Sequence, residues 1–146
     1  MSQAAASSST ASSAGSFSAT LSRYAPYVLS LLRIMAGLLF LEHGMSKLFG
    51  FPPGPMPPLL SLEWFAGTIE VTGGTLVALG LFTRPAAFIM SGEMACAYFI
   101  SHAPRAFFPL VNRGEAAVLF CFIFFYLIFA GAGPLSLDAL VWRKRL

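Results

Sequence analysis

The stretch "LLRIMAGLLFLEHGMSKLFG" at positions 31–50 is apolar enough for lipid, yet it carries Arg33, Glu42, His43 and Lys47. Successive helix residues turn by about 100°. Arg33, Gly37, Phe40, Gly44 and Lys47 therefore fall on one face of a helix. Two glycines on that stripe admit a neighbouring helix at close range. The arginine is expected to face protein rather than lipid, and Glu42 falls on nearly the opposite face.

The rest of the chain extends that reading. The sequence has 146 residues, 57% of them hydrophobic and 10% charged, with a mean hydropathy of +0.75. A soluble domain is normally about one quarter charged. The composition implies an all-α, polytopic membrane protein. A spanning helix takes roughly 20 mostly apolar residues, and turn signals separate four such stretches. The first covers about 26–49, with Pro26 suited to an opening turn, and "GFPPGPMPP" breaks it. The second covers about 61–82, where "SLEW" can cap a helix start, and "TRP" at 83–85 turns the chain. The third covers about 86–102. The fourth covers about 114–132 and ends at "GAGP". The expected division is a disordered Ser/Ala-rich tail at 1–22, a four-helix transmembrane domain at 23–140 and a basic cytoplasmic tail at 141–146. The tail "MSQAAASSSTASSAGSFSATLS" lacks the charge and apolar core of a secretory signal.

Four spans place both termini on one side. That side holds Arg23, Arg84, Arg143, Lys144 and Arg145, against Lys47, Arg105 and Arg113 on the other. The excess of basic residues puts both ends in the cytoplasm.

Glu70 lies near the middle of the second span on the stripe Glu63, Gly67, Glu70, Gly74, Val77, and Glu93 near the middle of the third. A charge at a helix centre costs about 2.5–3.5 kcal/mol, so Arg33 is expected to pair with Glu70, with Glu93 close by. Such a pair can simply fix helix register. Two carboxylates against one guanidinium also leave room for a shared proton, which gives Glu70 and Glu93 a proton-handling reading. His43, Lys47, His102 and Glu115, with Arg105 and Arg113, gather at the outer helix ends. Together with Arg33 they form the candidate binding group, beside the plainer reading of interfacial anchors. Two histidines without ligand spacing define no metal site. Cys96 and Cys121 fall at similar depth on antiparallel helices, but without a CxxC motif ordinary packing is the simpler reading. No nucleotide-binding or hydrolase motif is present, and the basic residues sit at membrane edges, which excludes a nucleic-acid partner.

"RIMAGLLFLEHGMSKLFG", "GTIEVTGGTLVALGLFTRPAA", "NRGEAAVLF" and "GAGPLSLDAL" closely resemble, in order, the DoxX family of small four-helix membrane proteins. The resemblance covers about 27–140, with Glu93 a weaker part of the pattern. It implies a bundle in the bacterial cytoplasmic (inner) membrane. It also implies association with oxidoreductases: relatives belong to a thiosulfate:quinone oxidoreductase or to membrane complexes that counter oxidative stress. The partners it suggests are the lipid bilayer, oxidoreductase subunits and a second copy of the chain. No cofactor motif is evident, and a quinone or a small sulfur compound is the expected ligand. The competing expectation is a non-catalytic assembly or receptor protein whose buried charges only organise the bundle, since fold alone does not fix function.

Overall fold

The computed structural model describes residues 3–143, with side chains placed from 18 to 141. Lys144, Arg145 and Leu146 of the basic tail lie outside the described residues. The elements in chain order are α1 (Gln3–Phe49), α2 (Leu62–Leu79), α3 (Thr83–Ala97), a π-helical turn (Tyr98–His102), α4 (Pro109–Asn112), α5 (Glu115–Ala130) and α6 (Leu137–Arg143). Every regular element among the described residues is helical.

Two boundaries differ from the sequence expectation. The backbone is helical from Gln3, through the segment read as a disordered tail, and Pro26 sits inside α1 rather than at its start. Alanine is the best helix former. A helix already nucleated downstream also extends at little further cost. Elsewhere the local signals act as read. Ser61 caps α2, accepting a hydrogen bond from Trp64 N at 3.2 Å. Gly80 ends α2 in the left-handed region at φ 67°, where its missing side chain avoids strain.

Glycine sets the register between α1 and α2. A Cβ on Gly37 would stand 2.5 Å from Ala78 N, and one on Gly44 would stand 2.6 Å from Val71 N. Seven residues forward on α1 are thus seven residues back on α2, so the two helices run antiparallel with backbones nearly touching. A Cβ on Gly73 would meet Met90 Sδ at 2.6 Å, which places α3 against α2. Ser91 Oγ donates to the Cys121 carbonyl at 3.0 Å, joining α3 to α5. Phe40 of α1 packs against Phe124 of α5 with ring centroids 4.8 Å apart. These four helices share one core, centred on Phe40, Val77, Met90, Phe124 and Leu127.

The outside of that core is greasy. Leu31, Leu38, Phe65, Phe88, Phe122 and Phe129 are all exposed, whereas Arg33, Glu70, Thr83 and Asn112 are buried. By length and composition one helix among the described residues, Ser18–Phe49, is fit to cross a membrane, and Glu115–Ala130 is apolar but shorter.

Candidate functional site: two buried charged centres

The interior holds two ionic centres, one towards each end of the molecule. Arg33 forms the first. Its guanidinium is fully buried and donates to the carbonyls of Val77 (3.0 Å) and Ala78 in the last turn of α2. It also donates to Ala132 (3.2 Å) and Leu135 in the loop before α6. The last carbonyls of a helix have no partner of their own and carry partial negative charge. A cation set against them completes the helix end. The same arginine ties the "GAGPLS" loop across that end. Ser30, one turn earlier, accepts from Leu135 N at 3.2 Å. Asp138 then accepts from Phe82 N (2.9 Å) and Thr83 N (3.0 Å) at the start of α3. Ser136 caps α6, accepting from Ala139 N at 3.1 Å. Every donor and acceptor named here has a partner.

This overturns the expected pairing of Arg33 with Glu70. The residue facing Glu70 across the glycine seam lies near Gly44, whose Cβ position meets Val71. Arg33 is eleven residues away, roughly 16 Å along the helix at 1.5 Å per residue. Both charges were placed at the middle of their spans. But α1 is much longer than α2, so the middles do not coincide.

Lys47 takes the position instead. Its Nζ donates to Glu70 Oε1 at 2.6 Å, with Glu70 only 2% exposed and the Lys47 side chain 31% exposed. Gly67 makes the approach possible, since a Cβ there would stand 3.1 Å from Lys47 Cβ. Because Gly73 faces Met90, residues three further on in opposite directions, Glu70 and Glu93, fall at the same level. The charges of both Glu70 and Lys47 act on Glu93. Glu70 Oε2 and both carboxyl oxygens of Glu93 are buried with no hydrogen-bond partner among the described residues. The second centre is therefore Lys47–Glu70–Glu93, one cation facing two carboxyls with three oxygens unsatisfied.

The outer group does not assemble as expected. His43 is exposed, donates from Nδ1 to the Leu39 carbonyl of its own helix (2.8 Å), and meets Phe120 edge-on. His102 donates from Nδ1 to the Asn112 carbonyl at 3.1 Å and stacks on Tyr98. Glu115, Arg105 and Arg113 are exposed. Among the described residues no hydrogen bond or ion pair joins His43, His102 and Glu115. Lys47 turns inward because Glu70 offers a buried carboxylate. Cys96 and Cys121 are free thiols, Cys96 exposed and Cys121 beside Ser91. No group of three His, Cys, Asp or Glu side chains that could hold a metal occurs among the described residues.

Sequence reasoning gave no role to Ser30, Thr83, Asn112, Ser136 or Asp138. Ser136 and Asp138 carry a readable signal, a capping serine with an acid in the first helical turn. Asn112 carries another, since its Oδ1 accepts from Gly114 N at 2.8 Å in an Asx-type turn. Ser30 carries none, because its partner is a backbone amide 105 residues away.

The arrangement defines an all-helical protein with an apolar exterior and a charged interior. The DoxX family profile matches residues 28–103. An uncharacterised protein of Haemophilus influenzae is 42% identical over 134 residues, covering 85% of this chain and 98% of that relative. The chain belongs to the DoxX family. No solved structure matches it.

Proposed function

We propose that α1, α2, α3 with its π turn, and α5 each cross the membrane as a four-helix bundle, with both termini in the cytoplasm. We further propose that the Lys47–Glu70–Glu93 centre handles protons for a redox-associated subunit of the bacterial inner membrane. The inside-out distribution of side chains supports the first part, because only lipid would leave so many phenylalanines and leucines uncovered at low cost. Labelling of Ser2→Cys or Leu146→Cys by an impermeant thiol reagent from outside the cell would overturn the orientation.

One observation carries the second part: both Glu93 oxygens are buried without a donor, next to an ion pair. An ionised carboxylate so placed is costly. The centre is electrically balanced when one of its two carboxyls holds a proton. That proton has two carboxyls to move between, and Lys47 compensates the one left ionised. An apolar cavity of about 240 Å³ opens along the α2–α3 seam, lined by Thr68, Ile69, Thr72, Gly73, Leu76 and Met90 among others. Its almost wholly apolar lining suits an apolar ring, which fits the quinone expected from the family, and Ile69 and Met90 of that lining lie within one helical turn of Glu70 and Glu93. A small, charged sulfur compound suits the same cavity less well, since no charged side chain lines it. A bound quinone would supply a two-electron, two-proton couple, and the chain's contribution would be the exchangeable proton on Glu93 or Glu70.

Purification followed by organic extraction tests this reading. Wild type should co-purify with quinone, and Glu93→Gln should assemble normally yet lose activity in complementation. Absence of quinone together with full complementation by Glu93→Gln would leave the assembly-protein reading in its place.

A further inference from the structure

The outer face of α1 carries an acid at the depth of the apolar core. The glycine seam fixes that depth. Gly37 meets Ala78, Gly44 meets Val71, and a Cβ on Gly74 would stand 2.6 Å from Leu41 N. Glu42 is therefore level with Gly73, roughly 4 Å along the axis from the middle of α2 at 1.5 Å per residue. Yet Glu42 is exposed, and among the described residues it makes no hydrogen bond or ion pair. On the same face the preceding turns present Leu31, Met35, Leu38 and Leu39, all exposed. Carboxyl groups at that depth in a bilayer normally face the protein interior and have a partner.

The next residue supplies the complementary group. His43 is also exposed, and its Nδ1 already donates to the Leu39 carbonyl. In the neutral ring that leaves Nε2 as an acceptor, and no group among the described residues uses it. Glu42 and His43 of one chain cannot serve each other, because adjacent helix residues point about 100° apart. A carboxylic acid bonded to an imidazole shares one proton with it, and the pair has no net charge whichever of them holds that proton. The pair therefore suits lipid better than either group alone.

We propose that this face of α1 is the contact surface for a second copy of the chain, with Glu42 of each copy bonded to the partner's His43. Two copies inserted the same way, related by a two-fold axis along the membrane normal, place their α1 helices parallel. Groups on either side of the contact line then meet reciprocally, acid to base and base to acid, as an isologous interface requires. The spacing along the line fits. Val28, Leu32, Met35, Leu39, Glu42 and Ser46 recur at alternating intervals of four and three, which is the seam of a left-handed helix pair. The first four are exposed and apolar. A different subunit would have to bring its own acceptor to Glu42, whereas a second copy holds one at the matching level. The proposal rests on the membrane-spanning reading above, because lipid is what makes an uncovered carboxyl costly there.

Cross-linking of the full-length chain in native membranes tests it. Cys96→Ala and Cys121→Ala remove the native thiols, and Met35→Cys places one on the seam. Phe88→Cys, on the exposed side of α3, is the control. Oxidation should give several-fold more disulfide-linked dimer with Met35→Cys than with Phe88→Cys. In mixed micelles Glu42→Leu and His43→Leu should each weaken self-association by about tenfold, as loss of two interhelical hydrogen bonds does. Glu42→Gln, whose amide still donates to Nε2, should keep most of it. Each variant should stay monodisperse, since Glu42 has no partner within the chain. Glu42→Leu and His43→Leu chains expressed together restore one of the two bonds, so they should link to each other more than either links to itself. Equal association by wild type and Glu42→Leu, or a Met35→Cys link to a different membrane protein alone, would overturn the proposal. Carbonate washing reads the membrane assumption separately. Chains released from membranes overturn both readings, and chains retained without the Met35→Cys link overturn this one alone.

Discussion

Arg33 and Glu93 are both ionisable and both hold their charged atoms out of solvent, yet the protein treats them in opposite ways. Arg33 has four carbonyls around it, while Glu93 has no donor for either oxygen among the described residues. A buried charge held by four carbonyls is locked to its surroundings, and moving it would break several bonds at once. A buried carboxyl without donors breaks no hydrogen bond when its protonation state changes, although its ionised form is the costlier one. The first arrangement builds a fold, and the second is the one on which the proton-handling proposal rests. The comparison also shows why counting buried charges is a weak guide to function, since what separates the two centres is whether their polar atoms have partners.

The sharpest way to break the comparison is Arg33→Ala. It strands carbonyls at the end of α2 and in the loop before α6, so a loss on the order of 4 kcal/mol or more is expected, read as failure to recover monodisperse protein in detergent. A folded Arg33→Ala protein with wild-type Tm would remove the structural reading of this residue. Next in size is Lys47→Ala, which leaves Glu70 buried and unpaired at a cost of about 3–5 kcal/mol. Combining it with Glu70→Gln should restore much of that loss. A double-mutant cycle should find coupling between positions 47 and 70 and none between 33 and 70.

A smaller effect is expected at the glycine seam. Gly74→Ala would place a Cβ 2.6 Å from Leu41 N, pushing backbone from backbone for about 1–3 kcal/mol. Unchanged stability there would mean that the α1–α2 register is set elsewhere. Asp138→Asn keeps the shape of the cap and loses its charge. About 1 kcal/mol is expected, with Tm in detergent as the measure. Glu93→Gln closes the series. It should leave Tm level or raised, because it replaces a carboxyl that has no donor, and any defect should appear in activity alone.

Much of the architecture was legible because it rests on local, periodic signals. The stripe Arg33, Gly37, Phe40, Gly44, Lys47 is a face of one helix, and Ser61 and Gly80 are end signals that act within a few residues. What was not legible depends on register between helices. The Arg33–Glu70 pairing failed because helical phase says which residues share a face but not which residues of two faces meet. That meeting is decided by glycines 37, 44, 67 and 74 and by the difference in length between α1 and α2. The carbonyl partners of Arg33 were invisible for a related reason. Backbone oxygens carry no residue-type signature, so an arginine that needs only carbonyls gives no partner to look for.

The π-helical turn at Tyr98–His102 has a consequence for how this chain tolerates change. Such a turn behaves like an α-helical turn with one extra residue, and each residue carries the thread of the helix about 100° further round. His102 reaches the Asn112 carbonyl, and Tyr98 lies parallel beneath it, at the phase that this added residue creates. Removing any one residue between 98 and 102 would heal the helix into an ordinary coil of α pitch. His102 and everything after it up to α4 would then be rotated by about a quarter-turn. A length change harmless in the 50–60 loop would there act as a gear slipped by one tooth.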